Sequence, residues 1–169
     1  MRVLAGQLIA FTMLTVACGG PAVDLASGLE ITDASTGWYD VGPVDGQNKL
    51  VPSIAFKLKN VSDQPLVALQ VNAVFRRGDD KDEWGTVWVP VTRSDGLQPG
   101  ATSQPITVHM KLGYTGTDPR AQMLQNSQFV DAKVEIYLKQ GSKTLAKLAE
   151  YPIQRQLITR TSAEAPKAQ

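Results

Sequence analysis

Along most of the chain, apolar and polar residues alternate with a period of two. In "SIAFKLKN" the apolar Ile54, Phe56 and Leu58 interleave with Ser53, Lys57 and Lys59. In "PLVALQVNAVFRR" Val67, Leu69, Val71, Ala73 and Phe75 interleave with Gln70 and Asn72. The same beat returns in Ile106, Val108, Met110 and Leu112, and again in Val130, Ala132, Val134, Ile136 and Leu138, the latter set against Asp131, Lys133, Glu135 and Lys139. Successive side chains of a strand point to opposite faces, so each run predicts a strand with one buried and one wet face. Leu29 to Asp33, Trp38 to Val44 and Leu145 to Arg155 complete the set.

Turn chemistry punctuates these runs at Asn60-Val61-Ser62-Asp63-Gln64-Pro65, Arg77-Gly78-Asp79-Asp80, Ser94-Asp95-Gly96, Gln98-Pro99-Gly100 and Gln140-Gly141-Ser142. Short strands broken this often by Gly, Pro, Asn and Asp predict an all-β, antiparallel, immunoglobulin-like β-sandwich of about 7–9 strands. One short helix is expected at "RAQMLQN", with Asp118 as its cap and Pro119 in its first turn.

The run "FKLKNVSDQPLVALQVNAVF" resembles the strand-turn-strand core of bacterial immunoglobulin-like modules of the FxLYD type, and "LQPGATS" is similar to a Leu-x-Pro-Gly turn of exported sandwich domains. The resemblance covers about a third of the body and implies architecture; it carries no catalytic residues.

The first segment breaks the alternation. Met1-Arg2 is followed by the uncharged "VLAGQLIAFTMLTVA", a basic start and an apolar run that stops at Cys18-Gly19-Gly20-Pro21. A membrane-spanning helix needs about 20 apolar residues, so the run reads as a cleaved secretory signal. Thr15-Val16-Ala17 leading into Cys18, the sole cysteine, resembles the lipobox of bacterial lipoproteins, although Leu14 lies one place earlier than the leucine of that pattern. The resemblance implies cleavage before Cys18 and attachment of diacylglycerol and a palmitate-type acyl chain to it. Because Gly19 is not Asp, it also implies an outer-membrane address facing the periplasm.

The domain organisation that follows is a signal over residues 1–17, a lipidated tether over 18–25, a β-sandwich over 26–158 and a disordered polar tail over 159–169. The tail, "TRTSAEAPKAQ" after Ile158, holds no large apolar residue.

Removing the signal takes away Arg2 and no acid, so 16 basic side chains face 16 acidic ones. That balance argues against nucleic acid as a partner. The single histidine, His109, has no G-x-S-x-G nucleophile or S-x-x-K lysine to work with. His109-Met110 holds soft ligands suited to copper, but adjacent strand residues point to opposite faces, leaving Met110 to the core and His109 to water. The acidic run Asp79, Asp80, Asp82 and Glu83 lacks calcium-loop spacing and reads as a solvated hairpin tip. No cofactor, metal or catalytic residue is expected.

The localised candidate is aromatic. In "DEWGTVWVPV", Trp84 and Trp88 fall on one strand face and Val87, Val89 and Val91 on the other. With the valines inward, both tryptophans face outward as a candidate binding surface for an envelope protein or glycan. The function expected is therefore a lipid-anchored envelope binding or assembly-support module. The alternative is a periplasmic small-ligand or metal carrier, with an enzyme third.

Overall fold

The structure is a computed structural model that describes residues 23–92 and 94–158. The signal, Cys18 and the polar tail fall outside the described residues. Two short helices and nine strands follow in order: α1 (Leu25–Gly28), β1 (Leu29–Val44), β2 (Gln47–Asn60), β3 (Leu69–Arg77), β4 (Gly85–Pro90), β5 (Ile106–His109), β6 (Tyr114–Gly116), α2 (Arg120–Met123), β7 (Ala132–Gln140), β8 (Ala146–Pro152) and β9 (Leu157–Ile158).

They form two sheets. One runs β5-β2-β1-β9, with β6 also paired to β2; the other runs β4-β3-β7-β8. The two sheets pack face to face as an all-β sandwich. Trp38, Ile54 and Phe56 from the first sheet meet Phe75, Ile136 and Leu138 from the second in one core, each at most 2% exposed.

Three departures from the sequence expectation have local causes. The first is that β1 is one strand of 16 residues, not two. Its register shifts between Thr32 and Ser35, where Asp33 adopts φ 56°; an aspartate tolerates that left-handed backbone, and the bulge lets the strand bend without ending. Asp45 and Gly46, both at positive φ, then close the β1–β2 hairpin in two residues.

The second is that α2 is a single turn starting from Pro119, with no side-chain cap. Asp118 does not cap it; its carbonyl instead accepts from Asn48 Nδ2 at 2.9 Å. A capped turn does form elsewhere, at α1, where Asp24 Oδ1 accepts from the Ala26 N–H. Leu25 in that turn is buried and Val23 packs on the core, so ordered packing begins ahead of residue 26.

The third is that the chain after β8 returns to the first sheet, and β9 runs parallel to β1. Thr36 fastens the return: its hydroxyl donates to Pro152 O at 2.8 Å and accepts from the Gln154 N–H at 3.1 Å.

The two turn motifs noted in the sequence dock on each other. Asn60 is fully buried, and its Nδ2 donates to Gln64 O and Leu97 O while its Oδ1 accepts from Ser62. All of its amide capacity is thereby used inside the fold.

Candidate functional site

The β3–β4 hairpin separates the two candidate tryptophans. Strand alternation in β4 begins only at Gly85, with Val87 and Val89 turned inward and Thr86, Trp88 and Pro90 outward. Trp88 is 50% exposed on the outer face of the four-stranded sheet, and the Lys139 ammonium of β7 sits 6.0 Å from its ring centroid. The cross-strand register explains the pairing. Trp88 lies opposite Asn72, and Lys139 opposite Gln70, so the lysine reaches diagonally across β3 to the indole.

Trp84 does not share that face, which corrects the expectation of an outward pair. It occupies the bend before β4, where its N–H donates to Phe75 O at 2.8 Å, and its ring turns in over the sandwich end. There it lies 5.5 Å from Tyr114 and 6.3 Å from Trp38, with the Arg77 guanidinium 5.6 Å above it. Phe129 completes the cluster, 4.6 Å from both Trp38 and Tyr114. Period-two counting fails at Trp84 because the residue lies outside the strand.

Beside Trp88 the outer sheet face is a charged lattice. Glu135, 8% exposed, accepts from Lys147 Nζ at 2.7 Å, from Arg76 Nε at 3.1 Å and from the Tyr137 hydroxyl at 3.2 Å. Lys147 and Lys133 both continue to Glu150. Lys147, and after it Arg76, hold the Glu135 carboxyl down at about 2 against the opposing pull of burial. The polar beat of "AKVEIYLKQ" announces these residues, but their burial follows from neighbours on β3 and β8 that the run itself does not contain.

His109 is half-buried on the outer side of the other sheet and stacks on Tyr39 with centroids 4.0 Å apart. Met110 points into the core at 4% exposure, so the two soft ligands diverge. Among the described residues, no group of three His, Cys, Asp or Glu side chains is placed to hold a metal. The acidic tip residues Asp79, Asp80, Asp82 and Glu83 are exposed.

Two kinds of concavity accompany these surfaces. A cleft of about 210 Å³ at the aromatic end is lined by Tyr114, Asp118, Met123, Asn126, Gln128 and Phe129, below the ~300–1,000 Å³ usual for small-molecule sites. Along the open side of the sandwich, between the edges of β4 and β5, run two grooves of about 420 and 650 Å³. Trp88 and His109 both line the first of these. Among the described residues no helix is long and apolar enough to cross a membrane.

No family model and no curated protein matches the chain. Solved structures similar to it include a Northeast Structural Genomics Consortium target, SoR45, at 10% identity and TM-score 0.43, covering 86% of this chain and 96% of that one. The putative ApaA protein from Bordetella pertussis matches at 11% identity and TM-score 0.43, covering 75% of this chain and 93% of that one. AT1g01470 from Arabidopsis thaliana matches at 10% identity and TM-score 0.46, covering 86% and 91%. All three are loose superpositions.

Proposed function

We propose that the protein is a lipid-anchored component of a bacterial cell envelope whose β-sandwich serves as a binding or assembly-support module. Trp88 and the sheet face around it form its contact surface. The observation that carries this reading is the half-exposed indole of Trp88, set on the outer sheet face beside Asn72 and Lys139. A large aromatic ring left in water loses the stabilisation that burial would give it, and such rings recur as anchors at recognition sites. The anchor follows from the signal-like residues 1–17 and Cys18. Two acyl-type attachments hold a protein at a membrane far more firmly than a single chain. The address proposed is the outer membrane, periplasmic face, and the partner an envelope protein or glycan.

The carrier alternative draws little support from the aromatic-end cleft, which is small, or from His109 and Met110, which point apart; the grooves of about 420 and 650 Å³ reach small-molecule size but are open-sided. The test is labelling with palmitate together with cell fractionation. Wild-type protein takes up label and sediments with membranes, whereas Cys18→Ser takes up none. A variant that is still labelled and membrane-bound overturns the anchor.

A further inference from the structure

We infer that the open edge of β4 accepts an extended peptide strand from a partner protein, the peptide adding to the sheet beside Thr86 and Trp88. The inference rests on the binding-module reading above and gives it a second, independent contact.

The argument begins with backbone hydrogen bonds. The Val91 N–H donates to Leu69 O at 2.8 Å, and β3 pairs antiparallel to β4 with Val89 opposite Val71 and Val87 opposite Ala73. In such a ladder alternate residues spend both backbone groups on the neighbouring strand. Val87 and Val89 therefore bond to β3, and the N–H and C=O of Thr86 and Trp88 point away from it. β4 ends its sheet, and none of the described residues pairs with that side. Sheet edges of this kind are commonly guarded by charges or by proline; "GTVWVP" holds no charge, and its proline, Pro90, stands at the last residue and leaves the outward groups of Thr86 and Trp88 unguarded.

The space beyond the edge has the shape of a strand. The grooves of about 420 and 650 Å³ lie end to end, lined on one side by residues 85–92 and on the other by 102–112. Six residues of β4 span about 20 Å, which matches an extended segment of similar length. Inward Val87 and Val89 and the exposed Leu112 on the opposite lip favour a partner with apolar side chains at alternate positions. The exposed Lys111 lines one end of the groove and the exposed Asp95 the other. A partner strand with an acidic residue at the first end and a Lys or Arg at the second complements them.

Two other occupants are separated from a partner peptide. A second copy pairing edge to edge shows as a dimer of the full-length chain that Thr86→Lys dissolves, and that result overturns the partner peptide. The segment 159–169 continues from β9, at the far side of the first sheet from β5, and holds no large apolar residue.

The experiment is selection of a displayed library of random ten-residue peptides on the full-length chain in detergent, with recovered peptides then titrated on variants. Thr86→Pro deletes one outward N–H without touching the β3 ladder, and Thr86→Lys places a charge on the edge should the proline disturb folding. The result expected is enriched peptides with alternating apolar residues and opposite charges at their two ends, binding about tenfold more weakly to Thr86→Pro. They also slow hydrogen exchange at the Trp88 amide. No enrichment, or peptides that bind both Thr86 variants as tightly as wild type, overturns strand addition. Retained peptide affinity in Trp88→Ala alongside loss in the Thr86 variants supports the edge site and removes the Trp88 contact surface; the reverse pattern keeps that surface and overturns the edge site.

Discussion

Truncating the two tryptophans of one hairpin separates core from surface. Trp84→Ala removes a partly buried ring that touches Tyr114 and Trp38 and lies beneath Arg77. Full burial of such a ring is worth about 3–5 kcal/mol on truncation. Partial exposure lowers this, while aromatic neighbours and the cation above the ring restore about 1 kcal/mol, giving an expected loss of about 2–3 kcal/mol. Trp88→Ala removes a ring that is 50% exposed and holds only Lys139 above it; exposed changes of this kind cost about 0.5 kcal/mol, with about as much again for the lost cation contact. Urea titration followed by far-UV circular dichroism is the assay, because it does not depend on the fluorophore removed. Equal slopes and a midpoint much lower for Trp84→Ala are expected. Equal midpoints, or a larger loss for Trp88→Ala, refute the placement of the two rings.

The Glu135 lattice predicts an acid-dependent loss of stability. With its carboxyl held at about 2 instead of 4.5, the bonus is fully present above pH ~4.5 and lost as pH falls from ~4.5 to ~2. Discounted for solvent screening at a sheet surface, it is about 1–2 kcal/mol. Glu135→Gln is therefore less stable than wild type at pH 7 in a urea titration, and the gap closes by pH 2; a gap independent of pH contradicts the ion-pair account. Gly113→Ala drives a Cβ into Leu50 O, a backbone atom with no room to give, and is expected to cost about 3 kcal/mol by thermal melting. Gly100→Ala meets nothing within 4 Å but keeps φ +75° and is expected to cost about 1 kcal/mol; the reverse order refutes the steric reading of Gly113.

Where inward apolar residues alternate with polar ones, as in β2, β3, β5 and β7, the sequence finds the strand, although Ser53, Asn72 and Glu135 on the second face are themselves buried by neighbouring strands and not wet. The alternation loses the ends of these strands wherever tertiary geometry intervenes. Val67 and Leu112 keep the beat yet are 41% and 54% exposed, because Ala68 turns at φ 53° and β5 stops at His109. The continuity of β1 through Asp33 depends on pairing with β2, and the return of β9 depends on Thr36; both are long-range contacts that leave no period in the chain. The Asp45-Gly46 hairpin is different, since that dipeptide is a local signal open to reading. At the candidate site, Trp88 was legible because it lies inside a strand, and Trp84 was misplaced because it lies one residue before that strand begins. The edge groove has no local signature, as it forms between residues 85–92 and 102–112 only when the two sheets pack.

The contact surface itself is most directly tested by site-specific photo-crosslinking in intact cells. A photoreactive amino acid replaces Trp88 in one strain and, in another, Glu30, an exposed residue of β1 in the opposite sheet. The account predicts a discrete adduct from position 88 and none from position 30. An adduct from position 30 alone, or none from position 88, contradicts it.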